Sequence, residues 1–429
     1  MSVELLLPIA LLFVMLGCGL WIMSTLLAVA LVTMLVSADL SLHQAGTLTA
    51  RILAGTSRSW ELSAVPLFLL MGELLLLGGT SKRLFAGLSP IVERLRGGHL
   101  HINIAGSVIF AAVSGSSTAT TATVGRVSLP ELDQRGYAPR LSLGSLAASG
   151  SLGLLVPPSI AMIVYGVIAE ASIARLFAAG VIPGVLIAGA FSAYVMVTSG
   201  KATDNRRDTA AGSWRSILGL LPIFCLIGVV LGSIYTGIAS PTEAAAVGAS
   251  GAFVLVILEG NLSRAGLWRA LTSTALLSSA IVSIVVAASI LSTGVGMAGI
   301  PQDISVWING LGLGYWGLLI VLGIIYIVLG LFLDGISIMV LTLPIVLPLV
   351  SALNIDLIWF GIFLIVLIEM GLITPPVGLN LFVVQSISKR DMPVIARAVL
   401  PFFLIMLSAL VVFAAVPSIV TWLPGALFD

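Results

Sequence analysis

Two apolar stretches of the chain are each interrupted by a pair of adjacent prolines. Residues 149–165 read SGSLGLLVPPSIAMIVY, and residues 369–383 read EMGLITPPVGLNLFV. A proline inside a helix removes a backbone hydrogen bond, and its ring clashes with the preceding turn, so two in succession break the helix. Each stretch is therefore predicted to be two half-helices that meet at an unwound joint.

The composition places both joints inside a membrane. The 429 residues are 59% hydrophobic and only 9% charged, with a mean hydropathy of +1.20, whereas a soluble chain has about 25% charged residues. Runs of about 20 apolar residues predict helical spans rather than a β-barrel. No basic block indicates nucleic-acid binding. We expect an all-α polytopic membrane protein in contact with lipid.

An unwound joint at membrane depth leaves backbone groups without partners, unless they face protein, water or a ligand. The half-helices that begin near Ser159 and Val377 should point their amide ends at a cavity, where an anion is favoured. The carbonyls freed on the other side suit a small hard cation such as Na⁺. The alternative is two proline kinks between packed helices, and the duplication of the motif argues against it.

The two halves of the chain repeat one another at an offset of 218 residues. This offset relates the pairs Pro130 and Pro348, Pro157 and Pro375, Pro158 and Pro376, and Pro183 and Pro401. Four coincidences among so few prolines indicate an internal repeat. Each half is predicted to have five spans, one of them broken by Pro-Pro, and one re-entrant hairpin. An odd number of crossings inverts the second half relative to the first, as in many secondary transporters.

The predicted boundaries follow the hydropathy. The first repeat is 1–200, with a hairpin at 102–131 and a broken helix at 141–170; a cytoplasmic linker is 201–215; the second repeat is 216–429, with a hairpin at 313–350 and a broken helix at 355–388. Residues 40–62 are expected to be a loop or an interfacial helix, and 398–423 the last span.

The distribution of Lys and Arg sets the expected orientation. Basic residues occur in segments 80–101, 132–140, 199–215, 260–270 and 389–397, whereas 297–312 has none. The positive-inside rule then places the first five segments in the cytoplasm and both termini in the periplasm. Arg51, Arg58 and Arg175 do not fit this scheme and are taken as interfacial.

The two hairpin tips, SGSS and DGIS, are rich in small and hydroxyl residues, so the backbone can turn tightly there. In an inverted repeat each tip meets the joint of its own half, which makes two cages of carbonyl and hydroxyl oxygens suited to Na⁺ rather than Ca²⁺. Site 1 comprises Ser114, Gly115, Ser116, Ser117, Gly153, Val156, Pro157 and Pro158. Site 2 comprises Asp334, Gly335, Ser337, Gly371, Thr374, Pro375 and Pro376. Small-residue helix packing is the alternative for the serine-rich tip.

Three ionisable residues, Glu73, Asp334 and Glu369, are predicted at or near bilayer depth. Such residues are functional hypotheses by default, although structural pairing remains the alternative for each. Ser116, Ser159 and Asn380 are candidate substrate ligands beside the joints, with helix capping as the alternative for the last two.

Other classes of protein are disfavoured. The three histidines, His43, His99 and His101, lie outside the apolar spans, so a membrane serine protease would have no base at depth. The same histidines are too sparse for a metal site, and no glycine-rich phosphate loop with lysine is present. Cys18 and Cys225 lie in apolar spans and are expected to pack there rather than form a disulfide.

These motifs together carry a family resemblance. The run IFAAVSGSSTATTATVGRVSLPELDQRGYAPRLSLGSLAASGSLGLLVPPSIAMIVYGV at 109–167, with FLDGISIMVLTLPIVLPL and GLITPPVGLNLF, resembles the large membrane subunit of tripartite ATP-independent periplasmic (TRAP) transporters. The resemblance covers essentially the whole chain.

The resemblance implies an elevator mechanism with a scaffold and a mobile transport domain, coupled to two or more Na⁺. It implies a small four-helix membrane subunit and a separate periplasmic binding protein that delivers an organic acid. By carry-over, the tip Ser114–Ser117 and the joint Gly153–Pro158 form one sodium site, and Gly335 with Thr374 forms the core of the other.

We therefore expect a permease, not an enzyme, that imports a dicarboxylate, sialic acid or similar carboxylate across the bacterial inner membrane without an organic cofactor. The first alternative is a stand-alone ion-coupled anion carrier of related inverted-repeat fold. A membrane enzyme or a scaffold is the second.

Overall fold

Helices make up nearly all of the chain in the computed structural model, which describes residues 3–199, 214–300, 302 and 314–429. The described residues contain no strand. This agrees with the predicted all-α class. The predicted linker at 201–215 and the segment at 297–312 lie largely outside the described residues.

The described part of the first half contains ten α-helices. They are α1 (Val3–Gly17), α2 (Ile22–Val32), α3 (Leu42–Thr56), α4 (Ala64–Leu77), α5 (Thr80–Val92), α6 (Leu100–Ser114), α7 (Ser117–Gln134), α8 (Pro139–Gly150), α9 (Ile160–Ile168) and α10 (Ile173–Thr198).

The described part of the second half contains ten more helices. They are α11 (Trp214–Leu218), α12 (Leu221–Tyr235), α13 (Pro241–Leu258), α14 (Arg264–Met297), α15 (Tyr315–Gly330), α16 (Gly335–Ala352), α17 (Leu357–Leu372), α18 (Leu379–Ser388), α19 (Met392–Ala415) and α20 (Ser418–Phe428).

Six helices of the described chain are long and apolar enough to cross a membrane. The pair α3 and α4 would add a seventh span, because together they meet the same criteria despite a bend of 57°. The segment 40–62 is thus largely helical. Ser41 and Gln44 form a capping box that starts α3, since their side chains satisfy backbone amides of the first turn.

Two pairs of helices turn back at the predicted tips. Helices α6 and α7 join through Gly115 and Ser116, where Gly115 adopts a φ of +57° that glycine tolerates readily. Residues 331–334 connect α15 to α16, and Gly335 is the first residue of α16. Each tip therefore ends one helix and begins another within a few residues.

The helix is broken at both proline pairs. A short 3₁₀ turn, Ser151–Leu154, separates α8 from α9, and six residues separate α17 from α18. Gly378 precedes α18 with a φ of +45°, and a Cβ atom there would lie 2.8 Å from the Thr374 carbonyl oxygen. Only glycine fits that turn without strain.

The prediction of a last span over 398–423 is wrong. Helix α19 begins at Met392 and ends at Ala415, and a separate helix, α20, follows. Pro417 explains the break, because proline has no N–H to continue the helix and restricts the residue before it. Helix α20 packs against α10, and the Nη2 atom of Arg175 lies 2.6 Å from the Oδ1 atom of Asp429.

Two groups of helices have extensive contacts. Helix α4 contacts α13 and α14, whereas α8 contacts α6, α7 and α19. Close approach in the second group depends on Gly144, because a Cβ atom there would lie 2.2 Å from the Ala398 carbonyl oxygen. Small residues allow such approach between membrane helices.

Gly144→Ala should lower the thermal stability of the purified protein, because the added methyl group forces α8 and α19 apart. Overpacking of this kind costs about 1–3 kcal/mol. Gly189→Ala is the matched control, since nothing lies within 4 Å of a Cβ atom there, and alanine favours the helix. Thermal unfolding in detergent compares the two; equal melting temperatures would contradict this account of the packing.

Candidate functional site

One cavity of about 370 Å³ brings the predicted tips and joints together. Its walls come from both tips, from residues at both joints and from helices α4 and α14. The lining residues include Ser114–Ala119, Leu154, Ile160, Asp334–Ser337, Leu372 and Leu379, with Leu69, Gly72, Glu73 and Leu76 of α4 and Leu277, Ala280, Ile281 and Ile284 of α14. The cavity therefore lies between the broken, re-entrant part of the fold and the long helices that face it.

Four helices begin at this cavity. The residues immediately before them are Ser116 (α7), Ser159 (α9), Asp334 (α16) and Gly378 (α18). First-turn residues of all four helices line the cavity. The first amides of a helix lack intrahelical partners and carry a partial positive charge. These amide ends favour an anion, although none of the described lining residues is Lys or Arg and two of them, Glu73 and Asp334, are acidic.

Two carboxylates also line the cavity. Ser273 on α14 donates a hydrogen bond to Oε1 of Glu73 at 2.6 Å, which holds this side chain between α4 and α14. Asp334 accepts hydrogen bonds from the backbone amide and the hydroxyl of Ser337. Asp334 therefore caps α16 while it also contributes negative charge to the second tip.

The first tip packs directly on the first joint. A Cβ atom on Gly153 would lie 2.6 Å from the backbone nitrogen and Cα of Ser117, and one on Gly115 would lie 3.1 Å from the Ile160 nitrogen. The Ser117 hydroxyl is 3.4 Å from the Ser151 carbonyl oxygen. Gly115, Ser117 and Gly153 of the predicted site 1 thus lie where the tip packs on the joint, held close because neither glycine has a side chain. Contacts of Val156, Pro157 and Pro158 with the tip stay a prediction.

Glu369 joins this site from the other half of the chain. Its side chain on α17 is fully buried. Oε1 accepts a hydrogen bond from the Ser117 hydroxyl at 2.5 Å and another from the Leu154 amide at 2.7 Å. The sequence places Glu369 at membrane depth, but its distance of 252 residues from Ser117 conceals this contact.

The second tip and second joint are arranged differently. Gly371 approaches Gly330 closely, since a Cβ atom on Gly371 would lie 2.7 Å from the Gly330 Cα. The Thr374 hydroxyl donates to the Met370 carbonyl at 2.6 Å. Pro375 and Pro376 are exposed, whereas the prolines of the first joint are buried.

The predicted substrate ligands differ in their positions. Ser116 lines the cavity. Ser159 is fully buried, and its hydroxyl donates to the Leu154 carbonyl at 2.6 Å. The same hydroxyl caps α9 by accepting a hydrogen bond from the Met162 amide, so the helix-capping role given as the alternative for Ser159 is present. Asn380 is fully buried, and its side-chain amide has no hydrogen-bond partner among the described residues. The role of Ser159 and Asn380 as substrate ligands stays a prediction.

Sequence reasoning missed the contribution of α14 to the site. Ser273 and the apolar residues of this helix sit in an ordinary hydrophobic run, which carries no local signal of a cavity wall. A cation site is equally hard to recognise from residue types, because the described part of the chain has no group of three His, Cys, Asp or Glu residues that could hold a metal ion. Any cation here depends on hydroxyls, carbonyls and single carboxylates.

Comparison with known proteins assigns the class. A crystal structure of the YdaH transporter of Alcanivorax borkumensis matches with a TM-score of 0.69 at 13% identity, covering 97% of this chain and 98% of that one. The structure of MtrF of Neisseria gonorrhoeae matches with a TM-score of 0.64 at 13% identity, covering 89% and 85%. At this identity the likeness shows the fold alone, which this chain shares with these two membrane proteins.

Sequence comparison narrows this class to one family. The family model described as the tripartite ATP-independent periplasmic transporter, DctM component, matches residues 9–419. The large permease protein DctM of the C4-dicarboxylate TRAP transporter of Pseudomonas aeruginosa is 33% identical, with 86% of this chain and 87% of that protein covered. The protein of the same description from Rhodobacter capsulatus is 34% identical, with 89% and 90% covered. The chain belongs to the DctM family of TRAP transporter large permeases, which confirms the resemblance seen in its motifs.

The cavity predicts a pattern of chemical accessibility. With Cys18 and Cys225, both exposed, replaced by serine, Ser116→Cys should react with a small water-soluble thiol reagent, because position 116 lines the cavity. Ser159→Cys should stay unreactive, because position 159 is fully buried. Mass spectrometry of the labelled protein measures both, and labelling in the reverse order would contradict the placement of the cavity.

Proposed function

We propose that this permease carries an organic acid into the cell together with Na⁺, using the cavity between the two tips as its substrate site. The observation that carries the proposal is the convergence of four helix starts on one cavity. Amide ends attract a carboxylate without a charged side chain, so the substrate can leave again once the surroundings change.

The two tips are the proposed cation sites. At site 1, the hydroxyls of the first tip lie against the buried joint, and at site 2, Asp334 supplies a carboxylate beside Ser337. Small hard cations prefer such oxygen ligands. Cations bound at both tips would order the tips and add positive charge next to the substrate anion.

We infer an elevator movement for the transport step. The broken helices and hairpins, arranged as two inverted repeats, form the mobile domain, and α4, α13 and α14 belong to the scaffold. The lining of the cavity supports this division, because the tips form one part of it and α4 and α14 form another. Helix α4 also touches the first tip, since a Cβ atom on Gly72 would lie 3.4 Å from the Ser114 Cα. A membrane potential supplies about 2.3 kcal/mol per net charge per 100 mV, so excess Na⁺ over substrate charge suffices to concentrate the substrate.

The proposed substrate class and partners follow the relatives. The Haemophilus influenzae relative named for sialic acid and the Oleidesulfovibrio alaskensis relative named DctMQ and for isethionate match at 30% and 31% identity, and the chain covers 60% and 58% of their lengths. We infer that the chain works in the inner membrane with a small membrane subunit, and that a periplasmic protein delivers the acid. Both termini are proposed to face the periplasm.

The test is uptake by proteoliposomes that contain the chain, its small membrane subunit and a substrate-loaded binding protein. An inward Na⁺ gradient should raise accumulation at least tenfold over an equal K⁺ gradient, because the proposed coupling ion is Na⁺. Equal uptake under both gradients would refute sodium coupling. Full uptake without the binding protein and small subunit would instead support a stand-alone carrier.

A further inference from the structure

The Glu369 carboxylate is the most deeply buried acidic group at the candidate site, and one of its two oxygens has no hydrogen-bond partner among the described residues. Oε1 accepts from Ser117 and Leu154, whereas Oε2 is buried without a hydrogen-bond partner among the described residues. No salt bridge to Glu369 occurs among those residues. An uncompensated charge in such a place is strongly unfavourable, so Glu369 can stay ionised here only with a positive charge close to it.

In each tip, the serine at the fourth position donates a hydrogen bond to a carboxylate, but the two carboxylates come from different parts of the chain. In the tip sequences SGSS and DGIS, the fourth residues are Ser117 and Ser337. The Ser337 hydroxyl donates to Asp334, the first residue of its own tip. The first residue of the other tip is Ser114, which has no charge, and there the Ser117 hydroxyl donates to Glu369.

We propose that Glu369 provides the negative charge of site 1, so that this cation site is built from both halves of the chain. The inference rests on the proposed sodium coupling. Glu369 acts as a positioning residue: by accepting the hydrogen bond of the Ser117 hydroxyl, it leaves the lone pairs of that hydroxyl for the cation. Each tip then has one carboxylate for one monovalent cation, Glu369 at the first and Asp334 at the second.

Glu369→Gln isolates the charge, because glutamine keeps an oxygen that can accept from Ser117 and Leu154. The assay is thermal unfolding of the full chain in detergent during titration with NaCl, with choline chloride holding ionic strength constant. The wild type should be stabilised by Na⁺. In the variant, the Na⁺ concentration for half-maximal stabilisation at site 1 should rise at least tenfold, while stability without Na⁺ should be maintained or increased.

A purely structural role for Glu369 predicts the opposite pattern, with lower stability in choline and an unchanged Na⁺ titration, and that result would overturn the inference. Glu243→Gln is the matched control, since Glu243 only caps α13 at the surface and glutamine serves equally in a capping box. Its Na⁺ titration should match that of the wild type.

Two further variants keep the inference testable. Ser117→Ala removes the linking hydroxyl and should weaken the Na⁺ response in the same way, which also covers the case in which Glu369→Gln fails to fold. Asp334→Asn combined with Glu369→Gln should abolish the response. If the wild type itself ignores Na⁺, the proposed function fails. If the wild type responds and Glu369→Gln titrates identically, only the role of Glu369 fails; an identical titration of Ser117→Ala would also remove Ser117 from site 1.

Discussion

The fold depends on how a broken helix inside a membrane satisfies its exposed backbone. Each open amide or carbonyl costs several kcal/mol in hydrocarbon. At the first joint, side chains provide the partners: the Leu154 amide donates to Glu369, and the Leu154 carbonyl accepts from Ser159. These hydrogen bonds stabilise a break that would otherwise be unfavourable. The joint around Leu154 is then a fixed corner of the backbone, onto which the first tip packs.

This solution ties the two halves of the protein together. Glu369 lies on α17, immediately before the second joint, and its partners lie in the first joint and the first tip. The second tip also contacts the first joint, since a Cβ atom on Gly335 would lie 2.5 Å from a methyl carbon of Leu154. Both tips therefore share one fixed corner, which suits elements that we propose to move as a unit.

Local sequence chemistry accounts for much of this architecture. Proline pairs break helices wherever they occur, so both joints could be placed from Pro157 and Pro375 alone. Small residues and hydroxyls marked the tips for an equally local reason. The break between α19 and α20 could also have been found, because Pro417 carries the same signal; the long apolar run around it led to a single predicted span.

Contacts between distant segments could not be read from the sequence in the same way. The hydrogen bond between Ser117 and Glu369 joins residues 252 positions apart, and the local sequence around neither residue indicates that the two are in contact. The position of α14 in the cavity wall is hidden for a different reason: the same apolar residue type can face lipid, protein or a cavity. Only the packing of the helices decides which of these they face.

The two joints satisfy their backbones differently, and this difference bears on transport. Pro157 and Pro158 are buried, whereas Pro375 and Pro376 are exposed. A buried break needs fixed partners, while an exposed one can be solvated. The first joint is thus suited to hold its tip rigidly, and the second is open to exchange partners with its surroundings. In the elevator movement that we propose, the first joint would travel as part of the fixed corner shared by both tips, whereas the second joint would stay accessible from its surroundings.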